Sequence, residues 1–167
     1  YLYYGDDSEE QVIQPGALDH FTFAHLTPLE TVAVPFSTTI TAFDAFGNVV
    51  TGYTGTNALS DTTGTISPTV TGAFVNGAWS GNVVINKVAN NVRISTSGTG
   101  KAGESDLFDV IAGPPAKISI VPVSFTMAAG VQYSSLTVAR QDANGFGTKA
   151  ITPVTVDLES TSPNGEF

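Results

Sequence analysis

The stretch from Phe36 to Val50 alternates apolar and polar residues and then breaks at Asp44-Ala45-Phe46-Gly47-Asn48. Period-two alternation sends successive side chains to opposite faces, so Phe36, Ile40 and Ala42 share one face of a half-buried strand. Gly47 supplies the permissive backbone of a tight turn, and Asp44 offers the turn's amides a local acceptor. The same signature returns from Leu136 to Phe146, where Asp142 follows Asp44 at an interval of 98 residues. A chain that repeats such a segment is made of strands and tight turns, in two related pieces.

The remaining segments read the same way. Leu18 to Phe23 alternates with Phe21 and Phe23 on one face, and Val49-Val50 and then Tyr53 to Leu59 continue from the first turn into a third region interrupted by Gly52 and Gly55. Ile66 to Thr71 contains Pro68, which places it at an edge or a bulge. Asn76-Gly77 between apolar residues is a hairpin signal of the type I′ kind, and after it Trp79, Val83 and Ile85 share the inward parity. Val92 to Ser97 and Glu104 to Val110 are two further strands, joined by a turn region from Gly98 to Gly103, with Phe108 and Val110 inward. About seven short strands with frequent turn signals and no helical period predict an all-β, immunoglobulin-like β-sandwich.

Ala112-Gly113-Pro114-Pro115-Ala116 is a stiff boundary, beyond which Ile118 and Ile120 take the places of Phe21 and Phe23, and Val138 that of Ile40. Asn164 to Phe167 lines up with Thr63 to Ile66, so the second module lacks counterparts of Ser67 through Val110. Three regions are expected: an N-terminal strand and acidic linker (1–16), a complete sandwich (17–112) and the first half of a second sandwich (113–167). Half a sandwich leaves a hydrophobic face uncovered, so the chain is read as a fragment of an array or as a subunit completed by another copy.

Composition narrows the function. The chain has 167 residues, of which 41% are hydrophobic, enough to bury a core, and only 13% charged. The net charge is −9 with six Lys and Arg in all, which excludes the clustered basic surface of a nucleic-acid binder. There is no cysteine, hence no disulfide, thiolate metal site or thiol catalysis, and no apolar run long enough to span a membrane. No Asn-x-Ser/Thr sequon occurs.

Chemistry is sparse. His20 and His25 lie in and just after the first strand, at a separation that points them to opposite sides, and are read as surface or cap residues. Asp106 and Asp109 take opposite parities on one strand, unlike a carboxylate pair across a cleft. Asp44 and Asp142 are read as turn acceptors, with calcium as the rival explanation of their recurrence. Asp6, Asp7, Glu9 and Glu10 form either a solvated linker or a calcium site between modules, and calcium is the one cofactor considered. Tyr1, Tyr3 and Tyr4 with an exposed Tyr53 offer a sugar-stacking platform, against core or interface packing. Tyr1, Leu2, Tyr3, Tyr4 and Phe167 are the candidate interface residues, an orphan strand and the far end of the unfinished module.

Residues Phe36 to Val50, Gly52 to Gly55, Thr63 to Ile66, Gly72 to Trp79 and Phe108 to Val110 together resemble the bacterial immunoglobulin-like repeats of invasin- and intimin-type surface proteins and of large archaeal and bacterial cell-surface proteins. The resemblance spans about 17–111 in full and 114–167 as half a repeat. It departs from the family at Phe146, where the pattern has Asn after Gly. Tyr1 to Gly5 is similar to the closing strand of a concanavalin-like domain that precedes such repeats. The resemblance implies a non-enzymatic, extracellular spacer, stalk or adhesin segment whose partners are neighbouring modules or copies of itself. A self-assembling filament subunit joined by strand complementation is the second reading, and a module binding a glycan or host receptor the third.

Overall fold

The computed structural model describes residues 14–121, 137–149 and 155, and divides the chain into two units, Tyr1–Ile111 and Ala112–Phe167. The described residues contain strands and turns and no helix.

In the first unit, β1 (Leu18–Phe23), β3 (Phe36–Asp44), β6 (Ala78–Ile85) and β5 (Ile66–Ser67) form one antiparallel sheet in the order β1-β3-β6-β5. Two three-stranded pieces lie opposite. One is β2 (Leu29–Thr31), β10 (Phe108–Ile111) and β7 (Ala89–Val92); the other is β4 (Ala58–Asp61), β8 (Ile94–Gly98) and β9 (Lys101–Glu104). Only Arg93 separates β7 from β8, and only Ser105 to Leu107 separates β9 from β10. Ser105 carries the ladder over that gap, its N–H donating to the Ile94 carbonyl at 2.9 Å and its Oγ accepting the Ile94 N–H at 3.0 Å. The two pieces are therefore one bent sheet. Counting β7–β8 and β9–β10 as single strands and setting the short β2 aside leaves seven, in orders 1-2-5-4 and 7-6-3. That is the immunoglobulin arrangement. The parallel pairing of β2 with β10 adds a short segment on the second sheet.

Alternation decides the core. Along β3, Thr38, Ile40, Ala42 and Asp44 are buried in turn, and Phe21 and Phe23 on β1 face the same interior. Phe21, Tyr53 and Phe74 pack edge to face with centroids 5.0 to 5.7 Å apart. Val83, Ile85, Val92, Ile94, Phe108 and Val110 complete the interior, each such side chain contributing about 1.5–3 kcal/mol over its exposed state. Trp79 keeps the inward parity of β6 but is only half-buried, its ring lying over Gly81 and Gly72 at the end of the sheet. Asn76 and Gly77 have φ of 51° and 77°, the type I′ geometry expected of that pair.

Several boundaries differ from the sequence expectation. The strand over Tyr53 to Leu59 reduces to β4, because Tyr53 and Asn57 turn inward. The strand over Ile66 to Thr71 stops at Ser67, before Pro68. Gly98 to Gly103 is mostly strand, since Thr99 and Gly100 (φ 49° and 76°) close a two-residue hairpin between β8 and β9. Glu104 to Val110 is broken at Ser105.

In the second unit, β11 (Lys117–Val121) and β12 (Thr137–Gln141) pair antiparallel, with Ile118 opposite Arg140 and Ile120 opposite Val138.

Candidate functional site

Because Asp44 ends β3 at inward parity, its carboxylate is buried, with 1% of the residue exposed. A buried charge is tolerable only when hydrogen-bonded. Here Oδ1 accepts the N–H groups of Phe46 (2.9 Å) and Asn48 (2.8 Å), while Oδ2 accepts the Gly16 N–H (2.7 Å) and the Asn48 side-chain amide (3.0 Å). Gly47, at φ 84°, lets the chain wrap around the carboxylate. The Asn48 side-chain amide, followed by the backbone amides of Gly16, Asn48 and Phe46, holds the Asp44 carboxyl well below the usual carboxylate range against the upward pull of burial.

The second unit rebuilds this arrangement. Asp142 is buried, with 2% exposed. Its Oδ1 accepts the N–H groups of Asn144 and Phe146, each at 2.9 Å, and its Oδ2 accepts the Gly113 N–H at 2.9 Å. The backbone bonds match as well. Asp44 N–H to Asn48 O and Val50 N–H to Ala42 O in one unit correspond to Asp142 N–H to Phe146 O and Thr148 N–H to Arg140 O in the other. Burial pulls the Asp142 pKa up, but the amides of Gly113, Phe146, Asn144 and Gly145 overcome it and set it low. The Phe146 departure therefore leaves the turn's backbone intact, and what it removes is one side-chain donor, the counterpart of the Asn48 amide.

A third turn of this kind escaped the sequence reading. Asp61 accepts the N–H groups of Thr65 and Ile66 on Oδ1 and the N–H and hydroxyl of Thr63 on Oδ2. Burial raises its pKa, the Thr63 hydroxyl and the Ile66, Thr63 and Thr65 amides lower it, and the net displacement is downward. The signal was present as Asp61-Thr62-Thr63-Gly64, the Asp-x-x-Gly spacing of the other two.

N–H donors surround the carboxylates of Asp44 and Asp142, the arrangement of a turn acceptor. The other candidates do not converge. His20 stacks on Phe43 at 5.8 Å and bonds Asp19, whereas His25 bonds Asp106 at 2.8 Å. Asp106 lies in the gap between β9 and β10, not on one strand with Asp109 as expected, and Asp109 accepts the Asn91 N–H at 2.8 Å. Among the described residues no three His, Asp or Glu gather as a metal site. Tyr53 is not exposed. It is 9% accessible, its ring sits against Phe21 and Phe74, and its hydroxyl donates to Asn57 Oδ1 at 2.5 Å, so it has no face to offer a sugar. Tyr1, Leu2, Tyr3, Tyr4, Asp6, Asp7, Glu9, Glu10 and Phe167 lie outside the described residues.

A scan against protein-family models matches none, and a search of the curated proteins finds no match. Among solved structures the chain is similar to the Escherichia coli adhesin FdeC, at 21% identity and a TM-score of 0.48, over 80% of this chain and 44% of that one. It is also similar to the S-layer protein rSbsC(31-844), at 20% identity and a TM-score of 0.43, over 92% of this chain and 21% of that one. Domains 5–6 of SbsC are similar at 17% identity and a TM-score of 0.43, over 92% of this chain and 82% of that one. The chain spans less than half the length of the first two.

Proposed function

We propose that this chain is a non-enzymatic structural segment of an extracellular surface protein, built of tandem immunoglobulin-like modules that act as a spacer or stalk. The observation that carries the reading is the buried aspartate turn, made twice with its aspartate and both turn amides at an interval of 98 residues. Convergence on one local geometry, at matched positions of two successive units, is what tandem copies of one module produce. Among the described residues the two buried carboxylates, Asp44 and Asp142, are consumed in holding backbone amides, which suits a scaffold.

A second reading, the filament subunit, draws on the β11–β12 pair. Ile118, Ile120 and Val138 are 51%, 41% and 37% exposed, where Phe21, Phe23 and Ile40 in the first unit are 3%, 8% and 0% exposed. Such a face calls for an opposing sheet, supplied by further chain of the same polypeptide or by a neighbouring copy. The first unit is a poor strand acceptor: β5 is two residues long and followed by Pro68, and residues 69–71 pair along β4.

The test is intact mass and electron microscopy on material from the native source, together with protease shaving of whole cells. A parent mass well above that of 167 residues, with peptides of this chain released by shaving, is expected. Regular filaments whose subunit mass equals this chain would replace the spacer by the fibre, and peptides released only after lysis would refute an extracellular role.

A further inference from the structure

We propose that Asp44 and Asp142 are junction clamps: one oxygen of each buried carboxylate closes the turn, and the other holds the backbone of the segment leading into that module, limiting how far the module swings on what precedes it. The inference rests on the tandem-spacer reading. In both units the labour is divided alike. Oδ1 accepts the turn's backbone amides, those of Phe46 and Asn48 or of Asn144 and Phe146, and in the first unit the Asn48 side-chain amide adds a bond to Oδ2. Oδ2 reaches back 28 residues to the Gly16 N–H, or 29 residues to the Gly113 N–H. Asn at the same position would serve the turn equally well, since its single carbonyl oxygen accepts the two turn amides. Only a carboxylate accepts on the second oxygen too.

Asp61 is the internal control. It has the same Asp-x-x-Gly spacing but no incoming segment to hold, and it spends both oxygens on Thr63, Thr65 and Ile66 of its own turn. The clamped residue is also alike in the two units, a glycine beside a proline in Pro15-Gly16 and Gly113-Pro114. A Cβ on Gly16 would stand 3.3 Å from Asp44 Oδ2 and 3.5 Å from its Cβ, so a side chain there crowds the carboxylate.

The consequence follows from the chain itself. Strand β10 ends at Ile111, Gly113 is held by Asp142, and Ala116 donates to the Gln141 carbonyl at 2.8 Å. Ala112 alone is left between the last strand residue of the first unit and the first clamped residue of the second. Releasing Gly113 extends the free linker to Ala116, with Pro114 and Pro115 inside it.

The experiment uses the full chain, wild type and Asp142→Asn, and reads amide exchange together with the NMR alignment of the two units. In the variant the Gly113 amide should exchange about ten- to a hundredfold faster, Asn144 and Phe146 should keep their protection, and the alignments of the two units should agree less than they do in the wild type. A Gly113 amide that is unprotected in the wild type, or equally protected in the variant, overturns the clamp. So does faster exchange with unchanged alignment. Should the second unit unfold in Asp142→Asn, the Gly16 amide in Asp44→Asn decides by the same exchange criterion. Any of these failures leaves the spacer reading to its own test of mass and location.

Discussion

Tyr53→Phe removes one oxygen atom from the interior and separates a structural tyrosine from a ligand-stacking one. In the wild type the hydroxyl donates to Asn57 Oδ1 at 2.5 Å, and Asn57 is wholly buried, its Nδ2 finding no partner among the described residues. Ideal Cβ positions on Gly55 and Gly98 fall 2.7 and 2.6 Å from that hydroxyl, so the backbone closes around it and leaves little room for a replacement water. Deleting the donor strands the Asn57 carbonyl, a loss of about 1–3 kcal/mol. For a module of this size each kcal/mol displaces the melting temperature by about 4–8 °C, so a fall of roughly 5–20 °C is expected. Tyr53→Ala also forfeits the ring's packing on Phe21 and Phe74 and should cost about 3–5 kcal/mol. Circular-dichroism melts of the full chain give the stability, and a glycan array probed well below the melt tests the rival role. A Tyr53→Phe melt within about 1 °C of wild type would refute the burial argument. A Tyr53→Ala protein that melts normally but loses glycan binding would restore the sugar platform.

Other changes test the rest of the core and the turns. Phe74→Ala, at 1% exposure against two aromatic rings, should cost about 3–5 kcal/mol in urea denaturation; a cost under about 1 kcal/mol would mean the cluster is not the core. Gly103→Ala places a Cβ 2.1 Å from the Phe21 carbonyl oxygen, so β1 and β9 must part, at about 1–3 kcal/mol. Gly52→Ala, with open space around it, should stay within about 0.5 kcal/mol, and equal effects at the two sites would contradict the close approach. The folded pKa values of Asp44, Asp61 and Asp142 lie below the unfolded value of about 3.9. Their contribution is therefore complete above that pH and drains away as pH falls through the folded values. Stability should hold from neutral pH to about 4.5 and decline below it; a decline attributable to these turns already at pH 6 would show them wrongly assigned.

Much of the first unit was legible because its determinants are local. The inward parity of Phe21, Phe23, Ile40 and Ala42 follows from a side-chain period of two, and the Asn76-Gly77 hairpin from two residues that tolerate positive φ. The turns at Asp44 and Asp142 were legible for the same reason, as a carboxylate beside the amides it accepts. Asp61 was equally legible and overlooked, since it shares the spacing but not the surrounding alternation. Merging β7 with β8 and β9 with β10 was not. The Ser105 hydroxyl bridges that break from the neighbouring strand, and no propensity of Ser105 announces it.

What the sequence by itself determined, then, is which segments become strands, which face of each is apolar, and where the chain must turn. The tertiary structure alone decided what each polar group meets once the sheets close. Tyr53 is aromatic and polar, equally suited to surface or interior, until Asn57 and two glycines wall in its hydroxyl. The second oxygen of Asp44 has no partner in its own turn beyond Asn48, and finds the Gly16 amide 28 residues away only because β1 pairs beside β3. Local rules act through neighbours in sequence. A buried carboxylate and a buried hydroxyl take whatever donors and acceptors the folded chain brings within about 3 Å, and that set exists only in three dimensions.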